Sequence, residues 1–119
     1  MPRLRLAVIL WMGSLAGLAL AETPLPTPIL PDSLHWIRPL NHPAIQSAWL
    51  LGAETQSGRY LLRVKQASGG KIPPHTHPDE RHTTVLSGTL YVGFGETFDE
   101  TKVVAIPVGA VYVAPYAPT

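Results

Sequence analysis

Between residues 71 and 88 the sequence reads Lys-Ile-Pro-Pro-His-Thr-His-Pro-Asp-Glu-Arg-His-Thr-Thr-Val-Leu-Ser-Gly, and three of the chain's five histidines fall inside it. On an extended chain, side chains two apart share a face. If residues 74–77 are extended, the rings of His75 and His77 point the same way and can share one ion. Neutral imidazole is the commonest metal ligand near neutral pH. Pro74 fixes its own φ, and Pro73 is pushed toward β/PPII by the proline after it, so the pair is presented on stiff backbone. The bland alternative is two surface histidines that bind nothing, since His-x-His also arises by chance.

The elements that must position these residues are short. The chain has 119 residues, no cysteine and 13 prolines. That length suits one domain, with neither a disulfide nor thiolate chemistry, and the prolines suit turn-rich β structure. Residues 1–21 read as a secretory signal peptide: Arg3 and Arg5 form the positive end, residues 6–20 the apolar stretch, and Ala19-Leu20-Ala21 a small-x-small cleavage site before Glu22. A membrane span wants ~20 apolar residues, and this run is shorter and interrupted by Gly13, Ser14 and Gly17. The expected destination is the periplasm or the exterior, with no stable membrane anchor after cleavage. The remainder would hold seven basic and eight acidic groups, without a basic stripe. That excludes nucleic acid and anionic membranes as expected partners.

Residues 22–34 form a proline-rich lead-in with Pro24, Pro26, Pro28 and Pro31. From residue 35 to 119 a series of short strands is expected. Residues 34–40 form a strand or turn packing Trp36, and 45–51 an apolar run around Trp49. Residues 59–66 alternate, with Tyr60, Leu62 and Val64 on one face. Residues 82–86, 89–94, 102–106 and 110–114 follow, the last with Val111 and Val113 opposite Tyr112. Gly69-Gly70, Ser87-Gly88 and Pro107-Val108-Gly109 supply turns. His35 and His42 have no partner at ligand spacing and read as structural. Glu96, Asp99 and Glu100 are not spaced as a calcium loop and read as a solvated turn. Short strands with Gly/Pro turns and no amphipathic helix argue an all-β sandwich or barrel.

Residues 69–88 resemble the first motif of the cupin superfamily, in which Gly, five residues and His-x-His are followed by Glu, six residues and Gly. Gly69, His75, His77 and Gly88 match, and residues 85–90 resemble the usual hairpin. Gly109 followed by five residues and Pro115 resembles the second motif. More closely, residues 75–99 are similar to small secreted single-domain cupins. The resemblance implies an all-β jelly-roll (double-stranded β-helix) barrel of short antiparallel strands, here incomplete. Its interior would hold a divalent metal (Fe, Mn, Zn or Ni) or a small organic ligand.

The chain departs from that pattern in its donors. The motif's Glu position is Arg81. Glu80 is one residue out of phase, which on a strand points to the opposite face. Ala117 stands for the second motif's Gly, and that motif's His would fall after Thr119. His75 and His77 are therefore the expected metal donors, with Glu80 or His82 as third donor through a bulge or substitution. Arg81 offers a fork suited to a carboxylate or phosphate and is the expected contact for an anionic ligand. If active, such a domain would be a metal-dependent oxidoreductase, dioxygenase or isomerase. The alternatives are a non-enzymatic binding or structural module, or a truncated remnant without activity. Unpaired edges of a partial barrel imply homodimerisation by strand pairing.

Overall fold

The computed structural model describes Gly13 and residues 17–117, so most of the expected leader lies outside the described residues. Among the described residues no helix is long and apolar enough to cross a membrane. Residues 17–30 are exposed and have no regular secondary structure, and a 3-10 turn at Pro31–Ser33 ends them.

Six short strands follow: β1 (Ile45–Leu51), β2 (Leu61–Gln66), β3 (Arg81–Thr84), β4 (Thr89–Val92), β5 (Val104–Pro107) and β6 (Val111–Ala114). They pair antiparallel as β1 with β2, β3 with β6 and β4 with β5. The first pair is a hairpin whose register slips between Trp49 and Leu51, so Leu50 forms a bulge. Ile37 adds one bridge to the other side of β1 by exchanging two 2.8 Å backbone hydrogen bonds with Ser47. Lys65 lies 4.0 Å from the centroid of the Trp36 ring, and Trp49 meets Tyr60 edge to face at 5.4 Å.

The expected hairpin across residues 85–90 does not form. β3 and β4 belong to different sheets, and β4–β5 is nested inside β3–β6. The two pairs are one long hairpin folded over on itself, which is how a jelly roll is wound. Backbone hydrogen bonds continue through the bend: the Val85 N–H donates to Ala110 (3.1 Å) and the Gly109 N–H to Val85 (2.8 Å). Thr84 faces Val111 before the bend and Thr89 faces Pro107 after it, so one strand uses one residue more than the other. Gly88 (φ 70°) and Gly109 (φ 82°) take left-handed backbone at the two sides of this offset. The same glycine that would close a hairpin serves here to turn a corner.

Two residues among those described are buried, Ala48 and Val85. Along the bent hairpin Arg81, Thr83, Leu90, Val92, Ile106, Tyr112 and Ala114 are half-buried, while Val111 and Val113 face solvent. β2 departs from its expected pattern. It begins at Leu61, and Val64 is 46% exposed because no second layer covers that face. The architecture among the described residues is all-β, an incomplete jelly roll of short antiparallel strands.

Candidate functional site

Residues 71–80 reach β3 without regular secondary structure, so the histidines sit on an irregular segment rather than on a strand. The two rings nevertheless stand together. The centroids of His75 and His77 are 4.6 Å apart and their planes nearly perpendicular. His75 Nδ1 lies 2.9 Å from the Pro73 carbonyl. A carbonyl only accepts, so Nδ1 carries the proton and Nε2 presents its lone pair. That is how metal-binding histidines are commonly oriented. His77 is half-buried, and its pKa lies below the ordinary histidine value. Burial contributes most to this, then the positive charge of Arg81 and the neighbouring His75, against the opposing pull of Glu54 and Asp79. A lowered pKa keeps the ring neutral and its lone pair free at neutral pH.

Arg81 opens β3 with its side chain only 18% exposed. Nε donates to Asp79 Oδ1 at 3.0 Å, and Nη2 lies 2.8 Å from Glu54 Oε1. The Nη2 contact is an ion pair by distance only. Its angle is not that of a hydrogen bond, and this buried atom has no hydrogen-bond acceptor. The Tyr60 hydroxyl donates to Asp79 Oδ2, and the guanidinium carbon stands 5.6 Å from the Tyr60 ring centroid. Burial raises the Tyr60 pKa, and the Asp79 hydrogen bond adds to it. The same hydrogen bond is the largest cause holding Asp79 below the usual carboxylate range, with Arg81 assisting. Burial works to lower the Arg81 pKa, but Asp79, Glu54 and Tyr60 outweigh it and hold the side chain cationic.

The expected third donors lie elsewhere. Glu80 and His82 pair with each other at 2.7 Å on an exposed surface. Within β3, His82 is exposed where Arg81 is half-buried, as neighbours on a strand must be. Among the described residues no three His, Cys, Asp or Glu side chains gather closely enough to hold a metal ion. Arg81, expected to meet an anionic ligand, already spends its charge on two carboxylates. An open cavity of about 260 Å³ is lined by residues including Val92, Phe94, Lys102, Val104, Ile106 and Tyr112, and none of its lining residues is a histidine. The imidazoles therefore do not look into this apolar hollow, contrary to expectation for a barrel interior.

Glu54, Tyr60 and Asp79 were not legible as site residues. Asp79 stands two before Arg81, a same-side spacing on extended chain, and this was the one local signal. Glu54 comes from the loop between β1 and β2 and has no spacing relation to the histidines.

Comparison with known proteins addresses the family. The chain is 38% identical over 72 residues to Germin-like protein 3-1 of Oryza sativa subsp. japonica, covering 60% of this chain and 32% of that protein. It is 43% identical over 56 residues to Germin-like protein subfamily 2 member 2 of Arabidopsis thaliana, covering 46% and 26%. Germin-like protein 5-1 of Oryza sativa subsp. japonica gives 42% over 59 residues, covering 49% and 27%. Over these stretches the chain is similar to germin-like proteins, which are members of the cupin superfamily. It spans about a quarter to a third of the length of these curated relatives. No protein-family model matches the chain, and no solved structure matches it.

Among the described residues no complete metal donor set is present. Catalytic zinc takes three protein ligands, and non-haem iron oxygenases take two histidines and a carboxylate. Here two imidazoles stand together, and the position of the motif's carboxylate holds the Arg81 guanidinium.

Proposed function

We propose that this chain is an exported cupin-type binding domain. Its His75–His77 pair would take a divalent transition metal (Fe, Mn, Zn or Ni) weakly, or a small organic ligand, through two imidazole nitrogens. The observation that carries this reading is the contact of the two rings, with His75 tied by Nδ1 to the Pro73 carbonyl, which leaves Nε2 as its other nitrogen. Two donors fall short of the three a catalytic centre uses, so no reaction is assigned. A bound ion would supply Lewis acidity to a small ligand beside it.

Isothermal titration with zinc, nickel and manganese tests this. One ion per chain, lost in the His75→Ala, His77→Ala double variant, supports the reading. Binding that the double variant retains, or none at millimolar metal, overturns it. Export is tested by N-terminal sequencing of the extracytoplasmic product, which should begin at Glu22.

The engagement of Arg81 by Glu54 and Asp79 favours a second reading, a binding or structural module without metal. It predicts ligand binding unchanged in the double variant.

A further inference from the structure

The strands divide into two units. Residues 35–70 hold the first hairpin, β1–β2, and residues 81–114 hold the bent hairpin of β3–β6 and β4–β5. Among the described residues no strand ladder and no backbone hydrogen bond crosses from one unit to the other. Every side-chain hydrogen bond or ion pair that leaves residues 35–70 ends, among the described residues, on Asp79 or Arg81. The Tyr60 hydroxyl donates to Asp79, and Glu54 lies 2.8 Å from Arg81 Nη2. Arg81 in turn donates to Asp79 at 3.0 Å and stands 5.6 Å from the Tyr60 ring. Four side chains from three places in the chain thus close one joint. Tyr60 also packs edge to face on Trp49, which ties the joint to β1.

Residues 71–80 carry the chain across this joint as a strap fastened to both units. At its start Lys71 pairs with Glu100 and lies 5.5 Å from the Phe98 ring, both ahead of β5. Near its end Asp79 holds Tyr60 of the first hairpin. The two fastenings differ in strength. Lys71 and Glu100 are each 63% exposed, and pairs so open to water contribute little. The Arg81 side chain is 18% exposed, and the hydrogen bonds of its joint are charge-assisted and less screened by salt. We infer that Glu54, Tyr60, Asp79 and Arg81 form a latch, and that the first hairpin is a flap docked through it onto the bent hairpin. A lone two-stranded hairpin is marginal in water. Opening the latch therefore loosens β1 and β2 as a unit, while the ladders of β3–β6 and β4–β5 stay closed. His77 precedes Asp79 by two residues, a reach of at most ~7 Å along the chain. Opening frees that end of the strap, so the contact between the His75 and His77 rings depends on docking of the hairpin. The latch does not depend on whether the rings bind a metal.

Backbone hydrogen exchange resolved by NMR tests this in the wild-type chain, Asp79→Ala, Glu54→Gln and Lys71→Ala. Asp79→Ala removes two charged hydrogen bonds from the joint, and the ladder amides of β1 and β2 should exchange about tenfold faster or more. Glu54→Gln leaves Tyr60, Asp79 and Arg81 joined and should give a smaller rise in the same amides. In both variants the ladder amides of β3–β6 and β4–β5 should keep their wild-type rates. Lys71→Ala removes a pair that does not reach the first hairpin and should leave β1 and β2 unchanged. A rise spread evenly over all six strands of a folded Asp79→Ala chain overturns the flap, and no rise in β1 and β2 overturns the latch. Should Asp79→Ala not fold, Glu54→Gln decides between the same outcomes. A nuclear Overhauser contact between the His75 and His77 rings should be present in the wild type and weaken in Asp79→Ala. Its full retention beside faster exchange in β1 and β2 refutes the coupling of the rings to the latch.

Discussion

Replacing Gly52 with alanine strikes the loop that delivers Glu54 and Tyr60 to Arg81 and Asp79. Gly52 sits at φ 57°, and a Cβ there would stand 2.5 Å from the Arg59 carbonyl oxygen and 3.3 Å from Tyr60 Cβ. Gly109, at the bend, is also left-handed at φ 82°, but a Cβ there meets nothing within 4 Å. The pair separates two effects. Left-handed backbone costs an L-residue ~1–2 kcal/mol, and alanine recovers about 0.4–1 kcal/mol by restricting the unfolded chain. Gly109→Ala should therefore lose only ~0.5–1 kcal/mol. Gly52→Ala must in addition push a backbone carbonyl aside, an overpacking cost of about 1–3 kcal/mol, for a total of ~2–3 kcal/mol. Asparagine tolerates left-handed backbone better than alanine, so Gly109→Asn should be nearly neutral. Gly52→Asn keeps the collision and should not be. Urea unfolding followed by tryptophan fluorescence reads all four variants, since Trp49 packs on Tyr60 next to this loop. Equal losses for Gly52→Ala and Gly109→Ala, or a neutral Gly52→Asn, would refute the close approach on which this reasoning stands.

Three further outcomes follow from the same geometry. His77 holds its proton less readily when folded, so below an unfolded value of ~6.5 the unfolded chain is protonated first. Stability should then fall as pH drops from there to the lower folded value; His77→Gln should flatten that part of the curve of urea midpoint against pH, and equal slopes would count against it. Because the Tyr60 hydrogen bond is the largest cause lowering the Asp79 pKa, Tyr60→Phe should raise it in a carboxyl NMR titration. Asp79 contributes stability above an unfolded value of ~3.9 and loses it as pH falls through the folded one. Acid unfolding of Tyr60→Phe should accordingly begin at higher pH. Finally, exposed Val104, Val111 and Val113 beside unpaired strand edges predict self-association. Sedimentation velocity should show it rising with concentration and weakened by Val113→Lys, and a concentration-independent monomer would exclude it.

The sequence by itself determined what neighbours along the chain decide. Alternation at residues 111–114 placed Val111 and Val113 opposite Tyr112, and the structure keeps that division. Glycines at 88 and 109 marked the places where the chain turns, and both have positive φ. His-Thr-His after two prolines announced a pair of rings, which stand in contact although their segment is not a strand.

Which strand lies beside which was decided only in three dimensions. A left-handed glycine at residue 88 serves a hairpin or a corner equally well, and only the pairing of β3 with β6 selects the corner. The charged cluster has the same origin. Tyr60 reaches Asp79 across 19 residues, and Glu54 reaches Arg81 from a separate hairpin. Such contacts are fixed by how sheets close over one another, and their energies do not depend on sequence spacing. No local pattern records them, which is why Arg81 read as an open fork in the sequence and is a filled one in the fold.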